Sequence, residues 1–211
     1  MVKVIFDVGN VLLDWDVRYL YRKLLPNDIA IMEFLDEVGL MEMNVEFDRG
    51  RSFACGIAEL CQRFPHRADL IEAFDVRWQE TVAGAIQGSL AILDSLAQSG
   101  VPLYAITNFS GEKWRASCDR FPFLEERFRD VVVSGHEGLT KPEPEIFNRL
   151  LRRNSLKSRD CIFIDDSRPN VIGARAVGMD AILFQSPDAL KSELHRRDLG
   201  LWKAPSSEKP P

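Results

Sequence analysis

VKVIFDVGNVLLDWD, residues 2–16, is the stretch from which the fold can be read. Val2, Val4, Ile5 and Phe6 make a short apolar, β-branched run, the pattern of a buried strand. The run stops at Asp7. Gly9 and Asn10 then loosen the backbone before a second apolar run, Val11, Leu12 and Leu13, closed by Asp14 and Asp16. An open α/β sheet places its chemistry beyond the carboxyl ends of its strands, so a carboxylate at such a tip is a candidate reacting group. Taken alone, Asp7 reads equally well as a helix N-cap or a turn residue.

Outward from this strand, residues 17–25, 29–40, 41–50, 53–64 and 68–78 carry apolar side chains at helical spacing, with Pro26-Asn27-Asp28 and Pro65 as breaks. No strand pattern interrupts them, so an all-helical insertion is expected over 17–82. Beyond it the character changes. Helical patterns at 89–99, 111–121, 144–153, 169–177 and 187–197 alternate with strand patterns at 101–106, 130–134, 161–164 and 181–184. Such alternation implies parallel strands joined by right-handed crossovers, hence an α/β fold with a doubly wound parallel sheet. The expected division is a core domain of residues 1–16 and 83–202, a helical cap of 17–82 over the sheet's carboxyl edge, and a frayed tail at 203–211, rich in Pro, Ser and Lys.

The 211 residues are 45% hydrophobic and 28% charged, an ordinary globular composition. The net charge of −5 gives no global attraction to nucleic acid or an anionic membrane, so neither partner is expected. An anionic substrate would need its own local positive groups. Cys55, Cys61, Cys118 and Cys161 form no CxxC pair, and the only histidines are His66, His136 and His195, so no zinc-type cluster is expected. No apolar run approaches the roughly 20 residues of a membrane helix. The chain opens directly on its first strand, without a basic region or cleavage signal, and a cytoplasmic location is expected. The expected assembly is a monomer or homodimer.

Four polar features fall at strand ends or in loops on one side of the sheet: Asp7, Thr107-Asn108, Lys141 and Asp165-Asp166. Each has a plain structural reading, as a turn, a solvated lysine or a helix cap. Chance does not readily assemble all four in that order. The segments FDVGNVL (6–12), AITN (105–108), LTKPEPEIF (139–147) and FIDDSRPNVIGARAVGM (163–179) resemble the motifs of the haloacid dehalogenase superfamily, and the resemblance covers nearly all of the chain. The helical insertion is similar to the first cap class of that superfamily. The resemblance implies a five-stranded core with the Asp7 strand central. It also implies a Mg²⁺-dependent hydrolase of a small phosphorylated metabolite, working through an aspartyl-phosphate on Asp7.

The chemistry suits those residue types. A carboxylate can attack phosphorus and split hydrolysis into two steps. Attack by an anion on an anion needs a screening cation, and Mg²⁺ takes carboxylates and waters beside a phosphate. The resemblance implies Asp7, Asp166 and the Gly9 carbonyl as metal ligands, with Asp165 beside them. Thr107, Asn108, Asn10 and Lys141 are expected to hold the phosphoryl oxygens. Lys141 also offsets the crowded carboxylates.

One position departs from the pattern. Most phosphatases of this superfamily carry a second aspartate two residues after the nucleophile, where this chain has Gly9. Such a general acid–base is worth about 10²–10⁴-fold in rate. Water, Asn10, Asp14, Asp16 or a cap residue is expected to take over, or the substrate to bring a good leaving group such as an anomeric or acyl phosphate, or the protein to be a poor catalyst. The Gly-Asn variant resembles a branch that includes phosphatases of glucose 1-phosphate, which adds sugar phosphates to the expected substrates. Two other readings stand beside this one. A 2-haloacid dehalogenase would use Asp7 on carbon without metal, although neighbouring acids such as Asp165-Asp166 call for a cation. A non-catalytic protein binding a phosphorylated ligand or another protein agrees with Gly9 but not with intact Asp7, Lys141 and Asp166. Trp15, Arg18, Tyr19, Asn44, Glu46, Arg49, Trp78 and Trp114 are candidates to set specificity, and Gly50 and Gly84 to allow cap movement.

Overall fold

The computed structural model describes residues 1–199, so the expected tail at 203–211 lies outside the described residues. In chain order, β1 (Lys3–Phe6) is followed by a short strand, β2 (Leu13–Trp15). Helices α1 (Arg18–Tyr21), α2 (Asp28–Val38), α3 (Leu40–Asp48), α4 (Phe53–Arg63) and α5 (Ala68–Val76) come next, then β3 (Val82–Ala85). The remainder runs α6 (Gln87–Gln98), β4 (Leu103–Thr107), α7 (Gly111–Arg120), α8 (Phe123–Glu126), β5 (Val131–Val133) and α9 (Ser134–Glu137). It closes with α10 (Pro144–Arg153), β6 (Cys161–Asp165), α11 (Arg168–Ala176), β7 (Asp180–Leu183) and α12 (Pro187–His195).

Five strands form one parallel sheet in the order β5-β4-β1-β6-β7. β1 is central because it can be covered on both faces: Val4, Ile5 and Phe6 are wholly buried. Strand periodicity divides them. Val4 and Phe6 join the apolar cluster on one face, whereas Ile5 joins Ile106, Phe147 and Phe163 on the other. This is the α/β parallel sheet expected from the alternating pattern. Phe6 sits level with Ala105 of β4 and Ile164 of β6. The next residue of each strand therefore leaves the sheet on one edge, and the Asp7 N–H donates to the Ile164 carbonyl at 2.8 Å.

The helices between β2 and β3 carry their own aromatic centre, in which Phe47 stacks on Phe53 at 3.9 Å and Phe53 lies 5.8 Å from Phe74. These rings belong to the same apolar cluster as Val4 and Phe6, so the insertion and one sheet face share a core. Asn27 caps α2 by accepting the Ala30 N–H, and Gly39 ends it at φ +66°. That left-handed conformation lets the chain turn at once into α3.

Two features differ from the sequence expectation. The pattern over 17–25 yields a single helical turn, α1, followed by irregular turns. Around the helical block, β2 and β3 form an antiparallel ribbon, pairing Leu13 with Ala85, Asp14 with Gly84 and Trp15 with Val82. VAGA offers one β-branched residue, two alanines and a glycine, so the strand has little intrinsic signal and exists through its partner. Among the described residues, no helix is long and apolar enough to cross a membrane.

Candidate active site

Three carboxylates meet at the carboxyl edge of the sheet. Asp7 follows β1, Asp165 ends β6 and Asp166 follows it, and one oxygen from each lies within 4.8 Å of the others. Lys141, on the loop before α10, buries its ammonium between two of them, with Nζ 2.7 Å from Asp7 Oδ1 and 2.7 Å from Asp165 Oδ2. The backbone of Lys141 is clamped by Asn108, whose Oδ1 accepts the Lys141 N–H at 2.8 Å. The Asn108 Nδ2 donates to the Lys141 carbonyl at 3.1 Å. The Lys141–Pro142 peptide is cis.

The two adjacent acids differ in their surroundings. Asp165 is fully buried and saturated: Oδ1 accepts the Ser167 N–H, Oδ2 accepts Lys141, and Asn170 Nδ2 donates to both oxygens at 3.0 and 3.1 Å. Asp166 is exposed at the same edge. The Asn10 side chain donates to it while Asn10 Oδ1 accepts the Trp15 N–H at 3.1 Å. Asn10 thus ties the ribbon to the acidic cluster, with its backbone at φ +55°. Thr107, at the end of β4, is wholly buried, and its hydroxyl has no hydrogen-bond partner among the described residues.

Burial drives the Asp7 carboxyl well above its ordinary range. Lys141 opposes the shift, while Asp165 and Asp166 reinforce it. Burial works against charge on Lys141 as well, but Asp7 and Asp165 outweigh it and raise its pKa. Asp166 is raised too, by the partial burial of its carboxyl first and Asp165 second, although the residue as a whole is exposed. Three carboxylates facing one ammonium leave an excess of negative charge and hard oxygen donors, which suits a small divalent cation.

A cleft of about 100 Å³ opens beside this cluster, lined by Gly9 and Asn108 from the sheet edge and by Leu13, Trp15, Val82 and Phe109. Asn44, Asp48 and Trp78 complete it from the helical side. Of the expected specificity residues, Trp15, Asn44 and Trp78 therefore line the cleft. Trp114 lies behind it, edge-on to Phe109 at 5.3 Å. Arg18 pairs with Asp16, Tyr19 donates to Asp14 at 2.9 Å, and Arg49 pairs with Glu143 at 2.6 Å. Glu46 is exposed and does not line the cleft. Gly50 is exposed but abuts Gly135: a Cβ there would stand 2.7 Å from the Gly135 carbonyl oxygen.

Asp48, with Val82 and Phe109, lines the cleft without being among the residues expected from sequence, and it is the titratable one of the three. An acid at the end of an amphipathic helix reads as a solvated residue. Its environment is made by segments distant in sequence. Burial raises the carboxyl to about 7, against the counteracting pull of Lys141 and a hydrogen bond from the Ser110 N–H.

The family model described as haloacid dehalogenase-like hydrolase matches residues 53–184. A drimenol cyclase from Aspergillus calidoustus is 23% identical over 207 residues, covering 90% of this chain and 35% of its own length. The chain thus spans about a third of that relative. A glyceraldehyde 3-phosphate phosphatase from Pyrococcus abyssi is 26% identical over 204 residues, covering 88% of this chain and 82% of the phosphatase. In fold, the chain matches an enzyme of the same family from Bacteroides thetaiotaomicron, crystallised as a variant with magnesium and inorganic phosphate. The TM-score is 0.69 at 19% identity, over 88% of this chain and 95% of that one. With the family model covering more than half of its residues, the chain belongs to the haloacid dehalogenase-like hydrolases.

Proposed function

We propose that the protein is a Mg²⁺-dependent phosphatase that cleaves a small phosphorylated metabolite through an aspartyl-phosphate on Asp7. The observation that carries this reading is the close packing of Asp7, Asp165 and Asp166, with one buried lysine paired to the first two, an arrangement with more negative charge than Lys141 can balance. In this reading Asp7, exposed Asp166 and the Gly9 carbonyl hold the cation. Asp165, whose oxygens are already saturated, fixes Lys141 from the ligand shell's edge. The bound ion would screen the phosphoryl charge from the approaching carboxylate and polarise the phosphoryl oxygens.

The remaining residues position the substrate. Lys141 supplies positive charge to the phosphoryl group as well as to Asp7. The unpartnered Thr107 hydroxyl gains a phosphoryl oxygen as its acceptor, since a buried hydroxyl without a partner is costly. Asn108 acts through its hold on the Lys141 backbone, leaving its own N–H for the phosphate. The leaving group lies in the cleft against Trp15, Trp78 and Phe109, whose faces suit a ring or another apolar surface, a sugar ring included.

The relatives support the coarser part of this reading: one is named as a phosphatase of a small phosphorylated aldehyde, and one fold neighbour holds magnesium with phosphate. Phosphate release from a panel of phosphorylated metabolites with Mg²⁺ tests it. The expected result is turnover that EDTA removes and that Asp7→Asn abolishes. Turnover unchanged by Asp7→Asn would overturn the assignment, as would chloride release from 2-chloropropionate in EDTA.

A further inference from the structure

The proposed phosphatase lacks a proton donor two residues after Asp7, and the space is there: a Cβ built on Gly9 meets nothing within 4 Å. The three side chains near Gly9 named from the sequence, Asn10, Asp14 and Asp16, are engaged elsewhere. Asp14 accepts the Tyr19 hydroxyl. Asp16 is held ionised by Arg18, whose hydrogen bonds and charge outweigh the opposing effect of burial. Asn10 is committed to Asp166 and to the Trp15 N–H.

Asp48, at the last turn of α3, lines the same cleft as Gly9. We infer that Asp48 is the general acid–base of the reaction, a carboxyl delivered from the helical insertion in place of the missing side chain at Gly9. The inference rests on the phosphatase reading above.

The geometry holds Asp48 in place from several sides. Its carboxyl receives the Ser110 N–H and, at 3.4 Å, the Asn44 side-chain amide. Its own carbonyl accepts the Ser134 hydroxyl at 2.6 Å, which docks the end of α3 on the core, and Gly50 seals the same contact against Gly135. Of the charged groups around it, Lys141, whose ammonium is held between Asp7 and Asp165, pulls the carboxyl pKa down from the sheet edge, whereas neighbouring Arg49 turns away to Glu143. A carboxyl raised to about 7 is suited to both directions of proton transfer near neutral pH.

The steps balance with water as the only co-reactant. An Asp7 oxygen forms a bond to phosphorus, the bond from phosphorus to the leaving oxygen breaks, and that oxygen takes the proton of Asp48. Water then attacks the same phosphorus and gives its proton to the Asp48 carboxylate. The Asp7–phosphorus bond breaks, which releases phosphate and restores both carboxyl groups to their starting forms.

A leaving-group comparison tests the role with Mg²⁺ and two aryl phosphates that differ in their need for a proton. Phenyl phosphate expels a basic phenolate, whereas 2,4-dinitrophenyl phosphate expels a stable anion that needs none. Asp48→Asn is expected to lower kcat/KM on phenyl phosphate by about 10²-fold or more, and by at least about tenfold less on the dinitrophenyl ester. Asp48→Glu, which keeps a carboxyl, is expected to recover part of the phenyl phosphate rate. Equal losses of Asp48→Asn on both esters, or no loss on phenyl phosphate, would overturn this role while leaving the phosphatase reading intact. A wild-type protein that hydrolyses neither ester nor any metabolite of the panel would overturn the phosphatase reading, and the role of Asp48 with it.

Discussion

Lys141 and the two carboxylates it bridges show how one side chain can decide both stability and chemistry. Removing it leaves Asp7 and Asp165 buried without a counter-charge. Breaking a buried ion pair from one side costs about 3–5 kcal/mol, far more than the pair contributes relative to an apolar replacement. Lys141→Met is expected to lose stability on that scale in urea unfolding, together with turnover. Asp48 behaves in the opposite sense. Its folded pKa of about 7 stands above its ordinary value of 3.8, so the folded state binds the extra proton between them. Its contribution to stability therefore falls as pH rises through that window. Asp48→Asn is expected to have a higher Tm than the wild type at pH 8, with the difference vanishing near pH 4. A Tm gap independent of pH would contradict the assigned shift. Asp7, Lys141 and the acid pair were legible in the sequence because each stands at the end of an apolar run or in a motif with specific neighbours. Asp48 was not, because its environment comes from Lys141 and Ser110, which the chain brings to it only when folded.

At the scale of elements, the helical insertion is held by packing rather than by its surface charges. Gly56 of α4 sits against the stacked ring of Phe47, where a Cβ would come within 2.4 Å of a ring carbon. Gly56→Ala forces the aromatic stack apart and is expected to cost about 1–3 kcal/mol by overpacking, read as a lower denaturant midpoint. The Arg49–Glu143 pair, by contrast, has side chains 46% and 39% exposed, and Arg49→Ala is expected to change stability by less than about 1 kcal/mol. Long periodic segments such as 29–40 and 53–64 were readable as helices because their apolar residues repeat at the helical period. The β2–β3 ribbon was not, because Leu13–Trp15 and Val82–Ala85 are too short and weakly patterned to announce a pairing that spans the whole helical block. That ribbon carries Trp15 and Val82 into the cleft, so the element with the weakest sequence signal also shapes the cleft wall.

Across the whole molecule, the parallel sheet gathers residues far apart in sequence at one edge, while the insertion supplies the opposite wall. The central place of β1 makes Asp7 the common neighbour of both halves of the sheet. Such an edge, with its unbalanced carboxylates, is expected to bind Mg²⁺ in the folded state only. At a hundred times Kd, such binding adds about 2.7 kcal/mol. For a domain of this size each kcal/mol raises Tm by about 2–4 °C. The rise is expected to disappear in Asp166→Asn, and a wild-type Tm insensitive to Mg²⁺ would contradict the proposed ligand set. Covalent phosphorylation of Asp7 is the central claim, and its most direct measurement is mass spectrometry of the protein quenched in acid during turnover of a phosphate ester with Mg²⁺. The predicted result is one phosphoryl group on the peptide containing Asp7, absent in Asp7→Asn; sustained phosphate release with no phosphoryl group on that peptide at any quench time would contradict it.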